Sequence, residues 1–97
     1  MTIGAARVTL YLPEASSLKE KRGVVKSVVA RARVKFNAGI AEVEDLDDLR
    51  FATLAITCVS NSAPHADEML ANVIAFIERR VEQGVVSEID TELIHWS

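Results

Sequence analysis

Few residues in this chain have types that could do chemistry. The two histidines, His65 and His95, lie thirty residues apart. Neither stands with a Ser or Cys in triad-like order, and no H-x-x-E-H or C-x-x-C spacing exists. His65 reads as a surface or capping side chain. The single cysteine, Cys58, sits in the apolar run Leu54-Ala55-Ile56-Thr57-Cys58-Val59. No cation or helix start lies nearby to activate it, so it reads as a small buried hydrophobe. It cannot form an intramolecular disulfide. The acids Glu44, Asp45, Asp47 and Asp48 could chelate a hard cation, but they lack the turn glycine and the bidentate glutamate of an EF-hand. They read as a solvated hairpin loop. The four glycines, Gly4, Gly23, Gly39 and Gly84, are scattered and make no phosphate-cradling loop. No catalytic residue, metal or cofactor is expected, and the chain reads as a binding protein and not an enzyme.

The remaining chemistry is charge. The net charge is −3, which argues against a nucleic-acid binder that works by bulk charge. The charges are segregated, however. Residues 1–40 carry +6 and residues 41–97 carry −9. Seven of the basic side chains fall between Lys19 and Lys35. On a helix, Lys19, Arg22, Lys26 and Arg33 share a sector of about 60°, and Lys21, Arg31 and Lys35 lie on the other flank. One sign concentrated along one stripe suits a phosphate backbone, as in rRNA, or an acidic protein. The alternative is a solvated helix neutralised by acids elsewhere in the chain. The expected polyanion contacts are Lys19, Arg22, Lys26 and Arg33, with Lys21 a lesser one.

The pattern around these residues gives the elements. Ile3 to Leu12 alternates as a half-buried strand. Ser17 and Glu20 form an S-x-x-E helix start. Leu18, Val25, Val29, Ala32 and Phe36 share one face of that helix, and Asn37 and Gly39 end it. Ile40 to Glu44 alternates again, with Glu42 and Glu44 on one side. Phe51 to Ser60 is the most apolar strand. Asn61-Ser62 caps a second helix whose apolar stripe is Met69, Leu70, Val73, Phe76, Ile77 and Val81. Pro64 is tolerated in its first turn, where the dipole favours Asp67 and Glu68. A last strand runs from about Val85 to His95.

The order is βαββαβ, in one domain of 97 residues. Two crossovers in one sheet predict an α+β ferredoxin-like sandwich: a four-stranded antiparallel sheet with both helices on one face. Some enzymes of this topology cradle phosphate with an Arg-bearing loop after the first strand. Here that loop, Pro13-Glu14-Ala15-Ser16, is acidic and lacks Gly, which disfavours acyl-phosphate hydrolysis. Disorder does not fit 49% hydrophobic and 26% charged residues. The longest uncharged stretch, Phe51 to Ala66, is too polar for a membrane span. The N-terminus does not read as a leader, and a cytoplasmic location is expected.

The other sheet face would be open. It would present Arg7, Thr9 and Tyr11 beside Thr53, Ala55 and Thr57, flanked by Glu42, Glu44, Glu88, Asp90 and Glu92. Sheet-face RNA binders stack bases on aromatics of the central strands. Tyr11 alone qualifies here, and the acids repel phosphate. RNA binding on this face is rejected. The small central residues suit a homodimer through this face or through a strand edge, against a simply solvated face, and the alternative function is a structural or regulatory homo-oligomer that binds a protein partner.

The block Ser17-Leu18-Lys19-Glu20-Lys21-Arg22 after a first strand resembles the YlxP-like family of small bacterial proteins of unknown function. Phe36-Asn37 with Ala41-Glu42-Val43, then Ala52-Thr53-Leu54, and Val59-Ser60-Asn61-Ser62 with His65 and Glu68, are also similar. The resemblance runs from Ile3 to about Leu93. Leu49-Arg50-Phe51 departs from it, where the family commonly has a Trp-Gln-basic run. The resemblance implies a ferredoxin-like fold and, because the genes often lie beside ribosome-maturation factors, a link to translation. It implies no catalytic residues.

Overall fold

The computed structural model describes residues 1–97. It has β1 (Thr2–Tyr11), α1 (Leu18–Lys35), β2 (Gly39–Glu44), β3 (Phe51–Ser60), α2 (Ala63–Arg80) and β4 (Val85–His95). The sheet order is β2-β3-β1-β4, and every neighbouring pair is antiparallel. Each helix thus carries the chain over an intervening strand. This is the ferredoxin-like α+β sandwich expected from the alternating patterns.

Local chemistry sets the helix starts. The Ser17 hydroxyl accepts the Glu20 N–H at 3.1 Å. Glu20's carboxylate accepts from the Ser16 hydroxyl at 2.8 Å and does not turn back to Ser17, so the reciprocal half of the capping box is replaced. Ser62 caps α2 by accepting the His65 N–H. Pro64 occupies the first turn, where its missing N–H costs nothing. Asp67 and Glu68 fall beyond that turn, because α2 starts at Ala63, so the dipole does little for them. The end of α1 also differs from expectation. Phe36 caps it in extended conformation, and no left-handed glycine is used. Gly39 instead opens β2, where a Cβ would press on the Thr57 hydroxyl.

The core lies between the sheet and the helices. Ala6, Val8 and Leu10 of β1 and Ala52, Leu54, Ile56 and Cys58 of β3 face it. Val25, Val28, Val29 and Ala32 close it from α1, and Leu70, Val73, Phe76 and Ile77 from α2. A fully buried Leu or Ile contributes about 1.5–3 kcal/mol. This packing must hold α1, which carries five valines, three of them buried, and an interior Gly23.

Cys58 is buried in this layer, and its Sγ lies 3.6 Å from the Ala66 carbonyl. Burial pushes its pKa up. At pH 8 the thiolate is therefore scarce as well as shielded. Iodoacetamide should modify Cys58 at least about a hundredfold more slowly in native protein than in denaturant. Equal rates, read by mass spectrometry, would contradict this packing.

Candidate nucleic-acid interface on the first helix

Each residue of α1 turns the helix by about 100°. Lys21 therefore falls in line with Val25, Val28 and Ala32, on the buried side. Its side chain is 0% exposed. Its ammonium lies 3.4 Å from a Glu42 carboxylate oxygen and donates to the carbonyls of Asp45 and Leu46. Lys21 therefore cannot contact a polyanion, and it is withdrawn from the candidate set. The spacing from Lys21 to Val25, Val28 and Ala32 was the available signal. It reads as core if the residue type is ignored.

Glu42 is also corrected. It pairs with Leu54, whose side chain is in the core, so it points toward the helices and not the open face. A bulge at Val43 then returns Glu44 to the open face. There Glu44 meets Arg7 at 3.0 Å.

The other candidates line the flank of α1 that overlooks β2. Arg22 lies 3.6 Å from Asp47 of the β2–β3 loop, with both side chains largely exposed. Such a pair is worth little and opens readily. Arg33 is exposed, but its Nε donates to the Ile40 carbonyl at 3.0 Å and its Nη2 reaches the same oxygen. Lys19 and Lys26 are exposed and form no ion pair. On the far flank, Lys35 lies over the rings of Phe36 and Phe76. The cations available on this flank are thus Lys19, Lys26 and the loosely paired Arg22, spanning about 10 Å of helix at 1.5 Å per residue. Arg33 stands tethered beyond them.

The open sheet face holds a second aromatic that the alternation could have revealed. Phe51 lies beside Tyr11 with ring centroids 5.1 Å apart. It has the same parity as Thr53 and lies within the strand as read, but the open-face set began at Thr53 and left it out. The two rings stack on each other. Glu44, Asp45, Glu88 and Asp90 share the depression that Phe51 lines, with Arg7 the sole cation there. Acidity alone now carries the case against RNA on this face.

The remaining reactive groups pair locally. Ser60 Oγ lies 3.1 Å from His65 Nδ1, a contact the sequence did not suggest. The same Oγ accepts the Ser62 N–H, which fixes the turn into α2. No acid is bonded to His65 and no cavity adjoins the pair. His95 Nδ1 lies 3.5 Å from the Thr2 hydroxyl. No three metal-ligating side chains converge. No helix is long and apolar enough to cross a membrane.

Residues 3–90 match the model of a family described as "Protein of unknown function (DUF503)". The chain belongs to the DUF503 family. This DUF503 chain is 37% identical over 76 residues to the uncharacterized protein YlxP of Bacillus subtilis (strain 168), covering 78% of this chain and 83% of that one. The YlxP-like resemblance read from the S-L-K-E-K-R block is thereby shown. Among solved structures, the de novo designed protein Foldit4 superposes on the DUF503 chain with TM-score 0.52 and 7% identity, over 100% of both chains. That likeness speaks for the fold alone. A C-terminal segment of the alpha subunit of aIF2 from Pyrococcus abyssi matches with TM-score 0.48 and 16% identity, over 100% of this chain and 51% of that one. This overlap is too loose to bear on function.

Proposed function

We propose that this DUF503 protein is a non-enzymatic cytoplasmic binding protein that docks α1 on RNA phosphate in the ribosome or its precursors. One observation carries the reading. Lys19, Arg22 and Lys26 form an exposed row on one flank of α1, while the acids of the open face lie on the other side of the sheet. A mixed surface would cancel at a distance, whereas a segregated one orients the molecule toward a polyanion. Arg22 exchanges the weak Asp47 contact for a phosphate, and Arg33 marks the far end of the row.

Phosphate contacts make binding fall steeply with salt. Three contacts on a duplex-like backbone weaken it roughly 500-fold per decade of salt. Reversing two of the charges, Arg22→Glu with Lys26→Glu, should abolish co-sedimentation with ribosomal particles from the native cell. Both side chains are exposed, so circular dichroism should stay unchanged. Co-sedimentation that survives both the double reversal and raised salt would refute the reading, as would its absence in the unmutated protein.

A further inference from the structure

The sheet has two edges, and they are protected unequally. β2 has six residues, is bulged at Val43, and has its Ile40 carbonyl taken by Arg33. Such features blunt an edge. β4 has eleven residues with no Pro, Lys or Arg, and its bulge, at Ser87, lies near its start and leaves Glu88 to His95 regular. It pairs with β1 on one side and with nothing on the other.

The free groups of that edge follow from the pairing. Met1 and Trp96 exchange backbone bonds in both directions, at 2.9 and 2.8 Å. Antiparallel pairs alternate between bonded and non-bonded. In the register Ile3↔Ile94, Ala5↔Glu92, Arg7↔Asp90, the backbone groups of Ile94, Glu92 and Asp90 therefore point inward to β1. Those of Leu93, Thr91 and Ile89 point outward, away from any strand. The side chains sort by face. Glu88, Asp90 and Glu92 stand on the open face, and Ile89, 44% exposed, and Leu93 stand on the other.

A second copy fits this edge poorly. A two-fold axis normal to the sheet sets even-numbered residues of β4 against even-numbered residues at every register. Registers centred from Glu88 to Glu92 then set acid against acid, and like charges directly opposite destabilise a strand pair, while registers shifted past them pair only the end of the strand. A strand of opposite charge meets no such obstacle.

We propose that the outer edge of β4 takes up an extended basic segment of another protein as a fifth antiparallel strand. Its backbone would pair with Ile89, Thr91 and Leu93. Lysines or arginines at alternate positions would lie opposite Glu88, Asp90 and Glu92. Those pairs are the non-bonded ones, where side chains approach most closely. Apolar residues between them would cover Ile89 and Leu93. This surface lies apart from α1, carries the opposite charge, and does not depend on the RNA reading.

The test uses the full chain and a nine-residue peptide alternating lysine with valine. Binding is read by backbone amide NMR and by the emission of Trp96, the only tryptophan. The expected result is saturable shifts centred on the amides of Ile89, Thr91 and Leu93, which also exchange more slowly. Methylating the peptide amides that face β4 should weaken binding at least about tenfold, and so should Glu88→Lys with Glu92→Lys. A peptide alternating glutamate with valine should bind that variant, which shows that its edge is intact. Arg22→Glu with Lys26→Glu should leave peptide binding unchanged. Equal affinity of the methylated peptide would overturn the proposal, since charge alone would then suffice. So would shifts centred on another surface, no saturation at millimolar peptide, or a dimer whose β4 amides are already protected without peptide.

Discussion

Lys21→Ala lowers the stability of this protein by about 3 kcal/mol. In a domain of this size that is a fall in Tm of roughly 12–24 °C. The loss comes from what the ammonium leaves behind. Glu42 is mostly buried, and its Oε2 accepts no hydrogen bond, so the 3.4 Å ion pair is the only compensation that oxygen has. The carbonyls of Asp45 and Leu46 lose a donor at the same time. Asp45 is one of two non-glycine residues with positive φ, at 62°, and the lysine holds the turn in which that strained backbone sits. Replacing both charges with apolar groups, Lys21→Met with Glu42→Leu, should recover most of the stability, because no unpaired charge is then buried. Urea titrations of the parent, the single and the double variant measure this directly. A Lys21→Ala variant within 1 kcal/mol of the parent would show that water reaches Glu42 and that the pair is dispensable.

Phe76→Ala costs a comparable amount, about 3–4 kcal/mol. Phe76 is buried in α2 and meets Phe36, at the end of α1, edge to face with centroids 5.5 Å apart. The Lys35 ammonium and the Arg80 guanidinium each lie 5.4 Å from its ring centre. Truncation removes the ring from the core, opens a cavity between the two helices, and frees both cations from an aromatic face. The ring-ring and cation contacts each add about 0.5–1.5 kcal/mol or less to the area term. Phe76→Leu keeps most of the volume and should lose less than half as much. Thermal melts of the two variants separate packing from ring chemistry. Equal losses would mean that the aromatic geometry matters more than the filled space.

These two residues also show what the sequence makes legible. The alternating strands, the serine caps and the 3.6-residue stripes suffice for βαββαβ, because each is a local pattern. Phe76 is readable from its stripe. The role of Lys21 is not, because a helical wheel marks a direction but cannot supply Glu42 and the Asp45 carbonyl from across the chain. Glu42 itself is misread because a bulge one residue later breaks the period of two. Phe51 is missed where a strand and a loop meet and the alternation has no outer neighbour to anchor it. The basic row of α1 fares better. Exposure of Lys19, Arg22 and Lys26 follows from their wheel position, whereas the attachment of Arg33 to Ile40 depends on how closely β2 runs beneath the helix.

β1 has its two neighbours at very different distances along the chain. Thr2 lies opposite Ser60 on one side and His95 on the other. This central strand therefore emerges before the other three and has no partner until some forty further residues have followed it. Its second partner comes only at the far end. Loops of that length close slowly, and two-state domains rich in such pairings fold over roughly milliseconds to seconds, not microseconds. At about 5–20 residues per second, several seconds of translation separate β1 from β3. Through that interval Val8 and Leu10 have no sheet to enter, so the nascent chain is exposed to wrong partners for longer than the finished domain takes to fold.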